Sequence, residues 1–344
     1  MFPSDFFEAI SISKSIIQMT KYQTRFQMMG TFIDLVIYHP NGEQLIKEAY
    51  LQLYQYAQRF TVNQPDSELM CVNRNAGIAP VVVQPDLFQL IKIAKTISVN
   101  SKNPFNIAIG PLVKTWRIGF KNAKVPMPDE ISAKLPLVDP HNIFLNEHDQ
   151  SIYLAKSNME IDLGAIAKGY FADEVKKKLV NAGVEHGFIN LGGNVLTIGH
   201  SPNNNQAWNA GIQNPLAERG AVVRVIPLKG GSMVTSGINE RFFEASGQRY
   251  HHLLDTQTGM PISTDIASIT IISKHSIDGE IWSTAGFLSR TYDAIFYLNQ
   301  QADIEAVVIS KNGQIHVTDG LIDGGVHISI CGGKSPSQEL VYKS

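Results

Sequence analysis

The sequence predicts an α+β fold with mostly antiparallel sheet, on three observations. Strand-like and helix-like stretches follow one another without a regular βαβα rhythm. FINLGGNVLTIG (188–199) reads as strand, paired glycines and strand, and GQIHVTDGL reads as a late hairpin partner. Neither GxGxxG nor a Walker-type loop is present. An irregular α/β fold with much antiparallel sheet is the alternative.

The elements follow in order. TFIDLVIYH (Thr31–His39) alternates and is rich in β-branched residues, so it is a strand. The next stretch carries Leu45, Ile46, Ala49, Tyr50, Leu53, Tyr56, Ala57 and Phe60 at helical spacing, so a helix with a core face follows. A second helix runs over Pro85–Ser101, with Pro85 suited to its first turn. Lys121–Asn142 is rich in proline and polar residues and reads as a connection with a short helix. VVRVIPL, ASITIIS and EAVVIS (Glu305–Ser310) are strands.

Composition narrows the functional classes. The 344 residues allow one large domain or two lobes. A net charge of −2 suggests no basic nucleic-acid surface. Cys71 and Cys331 have no metal or disulfide spacing and read as free thiols. In the N-terminal stretch Asp5, Glu8 and Lys14 interrupt any export-signal run, no anchor cysteine follows, and no stretch reaches the ~18 apolar residues of a membrane span. As written, the chain reads as cytoplasmic.

Four segments carry candidate chemistry. In MEIDLGAIAKGYFADEVKKKLVNAG (159–183) a helix begins at Ala165 or Ile166 with Ile166, Tyr170, Val175 and Leu179 on one buried face. Lys176–Lys178 near its end suit the helix dipole and read as a solvated face. Lys168 stands at the wrong end for that; it is either an anion-facing lysine or an ordinary surface one. Gly192–Gly193 fit a hairpin turn or a close backbone approach to a ligand. Thr235–Ser236–Gly237 read as a polar loop after a strand. His251 and His252 would face opposite sides of a strand, and a histidine three residues before Asp255 suits proton transfer. Glu280 and Thr284 lie four apart on one helical face, as a surface pair or as hard oxygen ligands for Mg²⁺.

Together these segments resemble the ApbE-type FAD:protein FMN transferases. MMGTFIDLVI, PDSELMCVN, FNIAIGPLVKTWRIG, IDLGAIAKGYFAD, FINLGGNVLTIG and TSGINERFF…RYHHLLDTQTGMPI follow the family's order from about Met29 to Phe287. The resemblance implies an ApbE-type (T-fold-like) unit of two closely packed lobes over residues 21–330, with 1–20 as an N-terminal extension and 331–344 as a tail. It implies an enzyme that uses FAD and Mg²⁺ to place FMN on a Ser or Thr hydroxyl of an acceptor protein, forming a phosphoester and releasing AMP. Carried over by motif, Met29, the segment Pro104–Phe105–Asn106, Asp162, Lys168 and the Leu254 backbone contact FAD. The Ala165 carbonyl, Glu280 and Thr284 hold the metal. His252 is the candidate base, or else orients the phosphate, and Lys168 faces the diphosphate.

Three positions depart from the family pattern. Asn106 and Glu280 stand where aspartate is usual, with Asp278 as an alternative carboxylate, and Asn63 replaces an aromatic residue that often stacks on the flavin. Two other functions stay open at this point: a FAD pyrophosphatase giving FMN and AMP, and a non-catalytic flavin-binding protein.

Overall fold

The computed structural model describes residues 11–14, 20–100, 104–202, 206–218 and 220–323. β1 (Ser11–Lys14), β2 (Thr20–Met28) and β3 (Thr31–Tyr38) form a meander, so part of the 1–20 segment adds a strand to the sheet. Residues 1–10 and 15–19, and the 331–344 tail, lie outside the described residues. α1 (Gly42–Arg59) buries Leu45, Ile46, Ala49, Tyr50, Leu53 and Tyr56, the face its periodicity demands. Then come α2 (Glu68–Arg74), β4 (Val81–Val82) and α3 (Pro85–Ser98). α3 stops short of the expected Ser101, with Val99 as its C-cap.

α4 (Gly110–Trp116) precedes the proline-rich connection, which holds α5 (Pro128–Ser132), and β5 (Ile143–Asn146) and β6 (Ser151–Leu154) close a small sheet with β4. α6 (Ala167–Asn181) leads into the hairpin β7 (His186–Leu191) and β8 (Asn194–Ile198). Its two turn residues, Gly192 and Gly193, have φ of 67° and 95°, which suits the twist of a two-residue hairpin. β9 (Trp208–Gln213) pairs with β10 (Val222–Leu228). β11 (Ser232–Gly237) enters the main sheet, and β12 (Phe242–Ala245) pairs with β13 (Gln248–His251). The chain then runs through β14 (Ile266–Ser273), α7 (Ser276–Phe287), α8 (Thr291–Leu298), β15 (Ile304–Ser310), β16 (Ile315–Val317) and α9 (Asp319–Asp323).

The main sheet has the order β1-β2-β3-β7-β8-β11-β14-β15-β16. Its pairings are antiparallel throughout. With helices packed against it, this is the α+β arrangement expected. The largest core cluster joins α1, α3 and α6 to β3, β7 and β8. A second joins α7 and α8 to β14 and β15. Each fully buried Leu, Ile or Phe here contributes on the order of 1.5–3 kcal/mol. No helix among the described residues is long and apolar enough to cross a membrane.

Two glycines set how closely α7 sits. At Gly169 in α6 an added Cβ would stand 2.5 Å from the Ser276 carbonyl oxygen, and at Gly279 in α7 it would stand 2.5 Å from Val234 Cγ2 of β11. A side chain at either position would push α7 away from its neighbours.

Two expectations are corrected here. Thr235–Gly237 are not a loop but the end of β11, in register with Ser268–Thr270 of β14. Their hydroxyls find partners inside the sheet layer: Thr235 Oγ1 lies 2.8 Å from Thr270 Oγ1, and Ser236 Oγ lies 2.8 Å from Ser283 Oγ of α7. Nor do all of Lys176–Lys178 face solvent. Lys176 Nζ donates to the Gly230 carbonyl at 2.6 Å, and burial lowers its pKa.

Candidate active site

The site is built around the start of α6. Upstream, the Asn73 amide brackets Ile161, donating to its carbonyl (3.0 Å) and accepting from its N–H (2.8 Å). The Asp162 N–H donates to the Ile107 carbonyl at 2.9 Å, which sets the 104–107 segment beside it. Asp162 Oδ1 accepts from the Gly164 N–H at 2.7 Å, and burial raises the carboxyl's pKa. The Leu163 carbonyl accepts from both Ile166 and Ala167, a turn that delays the helix to Ala167, two residues past the earlier of the expected starts. The Ala165 carbonyl therefore stays outside the helix ladder and accepts no backbone hydrogen bond among the described residues. Among the described residues no side chain caps the helix start. Lys168, its second residue, is half-buried with Nζ 3.4 Å from Glu280 Oε1.

Glu280 is not a surface residue. It is 4% exposed, and Asn194 Nδ2 donates to its Oε1 at 2.8 Å. Asn194 Oδ1 in turn accepts from Ser276 Oγ at 2.5 Å. The Asp173 carboxylate of α6 accepts from the N–H groups of Ser276 and Ile277, both at 2.9 Å, and so pins the first turn of α7. Thr284 is one helical turn beyond Glu280 on the same face and is half-buried. Asp173, Asn194 and Ser276 were missed from the sequence. The available signals were an acidic residue directly after the apolar stretch Tyr170–Ala172 of α6 and a polar residue directly after paired glycines.

His251 and His252 separate as expected for neighbours at a strand end. His251 is buried, with Nε2 2.9 Å from the Ile262 carbonyl. His252 lies just past β13, with Nδ1 3.1 Å from the Arg241 carbonyl. A carbonyl only accepts, so Nδ1 carries the proton and Nε2 keeps its lone pair. Burial pushes the His252 pKa down to about 4, with Lys168 among the cations that lower it, so the ring is neutral at pH 7. Asp255 does not partner His252. Its carboxylate accepts from the Gln257 N–H (2.8 Å) and the Thr258 hydroxyl (3.1 Å), closing the turn whose Gly259 carbonyl accepts from the buried Trp116 indole (2.8 Å). Leu254 sits opposite Pro261 in an isolated antiparallel bridge bonded through its neighbours, Leu253 to Ile262 and Asp255 to Met260. The Leu254 backbone groups therefore point away from that bridge.

Both histidines are held below the ordinary value of 6.5, so the unfolded chain binds more protons at mildly acidic pH. The His252 contribution is complete above about pH 6.5 and lost as pH falls toward about 4, and His251 acts in the same direction. Melting temperature should drop across that window, and His252→Gln should flatten the slope; an unchanged slope contradicts this.

Met29 and Gly30 form the two-residue β2–β3 turn, with φ of 54° and 73°, so Met29 adopts a left-handed backbone uncommon for a side-chain-bearing residue. Pro104 is exposed, whereas Phe105 is buried in the main core. Asn106 spends both ends of its amide on backbone: Oδ1 accepts from Ala108 N–H at 2.8 Å and Nδ2 donates to the Val138 carbonyl at 2.7 Å. Aspartate there would set a carboxylate against a carbonyl. Asn106→Asp should lower unfolding free energy by about 1–3 kcal/mol in a urea titration, and an unchanged midpoint would refute the clamp. Asn63 is exposed, its backbone N–H bonded to Thr61 Oγ1.

The structure thus brings Lys168 and Glu280 together, with Ala165 three residues before Lys168 in the chain and His252 close enough to feel Lys168. Met29 and Thr284 make no side-chain polar contact with that group among the described residues. A separate cleft of about 220 Å³, between Asp265, Tyr292, Lys311 and His316, is lined by none of the candidates.

Comparison with known proteins follows the same lines. A model of the ApbE family matches residues 29–308. A FAD:protein FMN transferase of Klebsiella pneumoniae (strain 342) is 41% identical over 288 residues, covering 84% of this chain and 89% of that protein. A FAD:protein FMN transferase of Treponema pallidum (strain Nichols) is 32% identical over 312 residues, covering 86% of each. The crystal structure of the ApbE protein of Thermotoga maritima superposes with a TM-score of 0.81 at 26% identity, covering 88% of this chain and 98% of that one. On the match across residues 29–308 and these relatives, the chain belongs to the ApbE family.

Proposed function

We propose that this protein is a Mg²⁺-dependent FAD:protein FMN transferase acting on a Ser or Thr hydroxyl of an acceptor protein. The observation that carries the reading is the meeting of Lys168 and Glu280, 3.4 Å apart, at the uncapped start of α6. A helix N-terminus and an ammonium suit a diphosphate.

The donor chemistry fits Mg²⁺. The Ala165 carbonyl stands outside the helix ladder, Glu280 Oε2 takes no hydrogen bond among the described residues, and the Thr284 hydroxyl lies on the same face of α7. All three are hard oxygen donors. Asp278 lies two residues from Glu280, on a different face of the helix, so Glu280 is the carboxylate assigned. When bound, Mg²⁺ neutralises charge on the pyrophosphate oxygens.

The chain's own residues do the rest. Met29, the Pro104–Asn106 backbone, Asp162 and the Leu254 backbone surround FAD. Lys168 adds positive charge at the diphosphate. His252 Nε2 takes the proton of the attacking hydroxyl. The hydroxyl oxygen bonds to the FMN phosphorus, the bridging P–O bond breaks, and AMP leaves with the electron pair.

The test is incubation with FAD and Mg²⁺, with and without a peptide from a flavinylated protein. AMP is followed by chromatography and the peptide by mass. A peptide heavier by one FMN is the expected result. AMP without an adduct would move the reading to FAD hydrolysis, and FAD bound without AMP would make the protein a flavin binder.

A further inference from the structure

We infer that Asn194 is a positioning residue, which aims the Glu280 carboxylate at the metal. This rests on the assignment of Glu280 as the metal carboxylate. Asn194 opens β8, directly after the paired-glycine turn, and is 1% exposed. Its amide can sit only one way round. A carboxylate accepts and never donates when ionised, so the NH₂ must face Glu280 and the carbonyl must face Ser276. Ser276 is fully buried and so acts as the donor that locks the amide. Ser276 is itself held by the Asp173 carboxylate through its backbone N–H. A chain of bonds thus runs from α6 through the first turn of α7 to β8, and back to the second turn of α7.

The consequence lies in which oxygen is occupied. Asn194 and Lys168 both approach Oε1 of Glu280. Among the described residues Oε2 has no hydrogen-bond partner, and it is not a sealed orphan. The tether therefore fixes the carboxylate plane and leaves one oxygen for a cation. Glutamate has one more rotatable bond than the aspartate usual at this position of the motif. Asn194 removes that added freedom, so arm length and tether work as a pair in this chain.

The test is Mn²⁺ titration of the full chain in the presence of ADP, a diphosphate without flavin, read by electron paramagnetic resonance. Melting temperatures check the fold. Asn194→Ala should weaken Mn²⁺ binding about 10–100-fold, the usual range for partners that orient a metal ligand. Glu280→Ala should weaken it at least as much, and the double variant no further. In steady-state assays Asn194→Ala should raise the Mg²⁺ requirement while the KM for FAD stays unchanged, which a general loss of fold would not do. Weakening by Glu280→Ala with wild-type binding in Asn194→Ala would overturn the tether and leave the metal reading standing. Wild-type binding in both variants would overturn the two together. If Asn194→Ala does not fold, Ser276→Ala takes its place. It keeps the amide but frees its orientation, and should weaken Mn²⁺ binding several-fold; no weakening would overturn the inference.

Discussion

Glu280→Ala should reduce Mg²⁺-dependent AMP release by about a thousandfold or more, while the protein still folds. The carboxylate is the one charged oxygen donor in the proposed metal set, and a bound cation supplies several kcal/mol of transition-state stabilisation. Removing it also leaves Lys168 without its anion and the Asn194 amide without its acceptor. An unsatisfied buried amide destabilises by roughly 1–3 kcal/mol, within what a domain of this size withstands. Activity should be measured over a Mg²⁺ titration, alongside a thermal melt. Full activity at ordinary Mg²⁺ would remove Glu280 from the metal set. Thr284→Ala should act in the same direction.

The second large effect concerns His252. His252→Ala should lower kcat about 10²–10⁴-fold with little change in the KM for FAD, the pattern of a group used only in the transition state. The geometry supports the base role: the Arg241 carbonyl holds Nδ1 protonated and leaves Nε2 its lone pair. The depressed pKa keeps the ring neutral, so the acid limb of the rate profile should fall below the ordinary histidine value of 6.5. A variant with intact kcat and a raised KM would make His252 a phosphate-orienting residue instead.

Much of this architecture was legible in the sequence because its signals are local. The apolar faces of α1 and α6 follow from helical spacing, and the Gly192–Gly193 turn follows from the freedom of glycine at positive φ. Lys168 was legible as an anomaly, a cation at the wrong end of a helix. Local signals also misled. Thr235, Ser236 and Gly237 are turn-forming residues, yet cross-strand and helix hydroxyl partners hold them in β11. Lys176 belongs to a lysine run that reads as solvated, until the Gly230 carbonyl arrives from 54 residues away to accept its hydrogen bond.

Residue types and the core faces of the long helices were thus determined by the sequence alone, since they rest on spacing within one element, while the candidate list came mainly from the ordered motifs that resemble the ApbE family. Which oxygen of Glu280 is bonded and which is left open was decided only by the tertiary structure. That choice needs Asn194, 86 residues away, and Ser276, 82 residues from Asn194, to meet across a strand and a helix. Their meeting depends on sheet register and on how closely α7 packs at Gly169 and Gly279. Those are properties of the packed whole: a register shift of one residue would turn Asn194 to the other face of the sheet and leave Glu280 untethered.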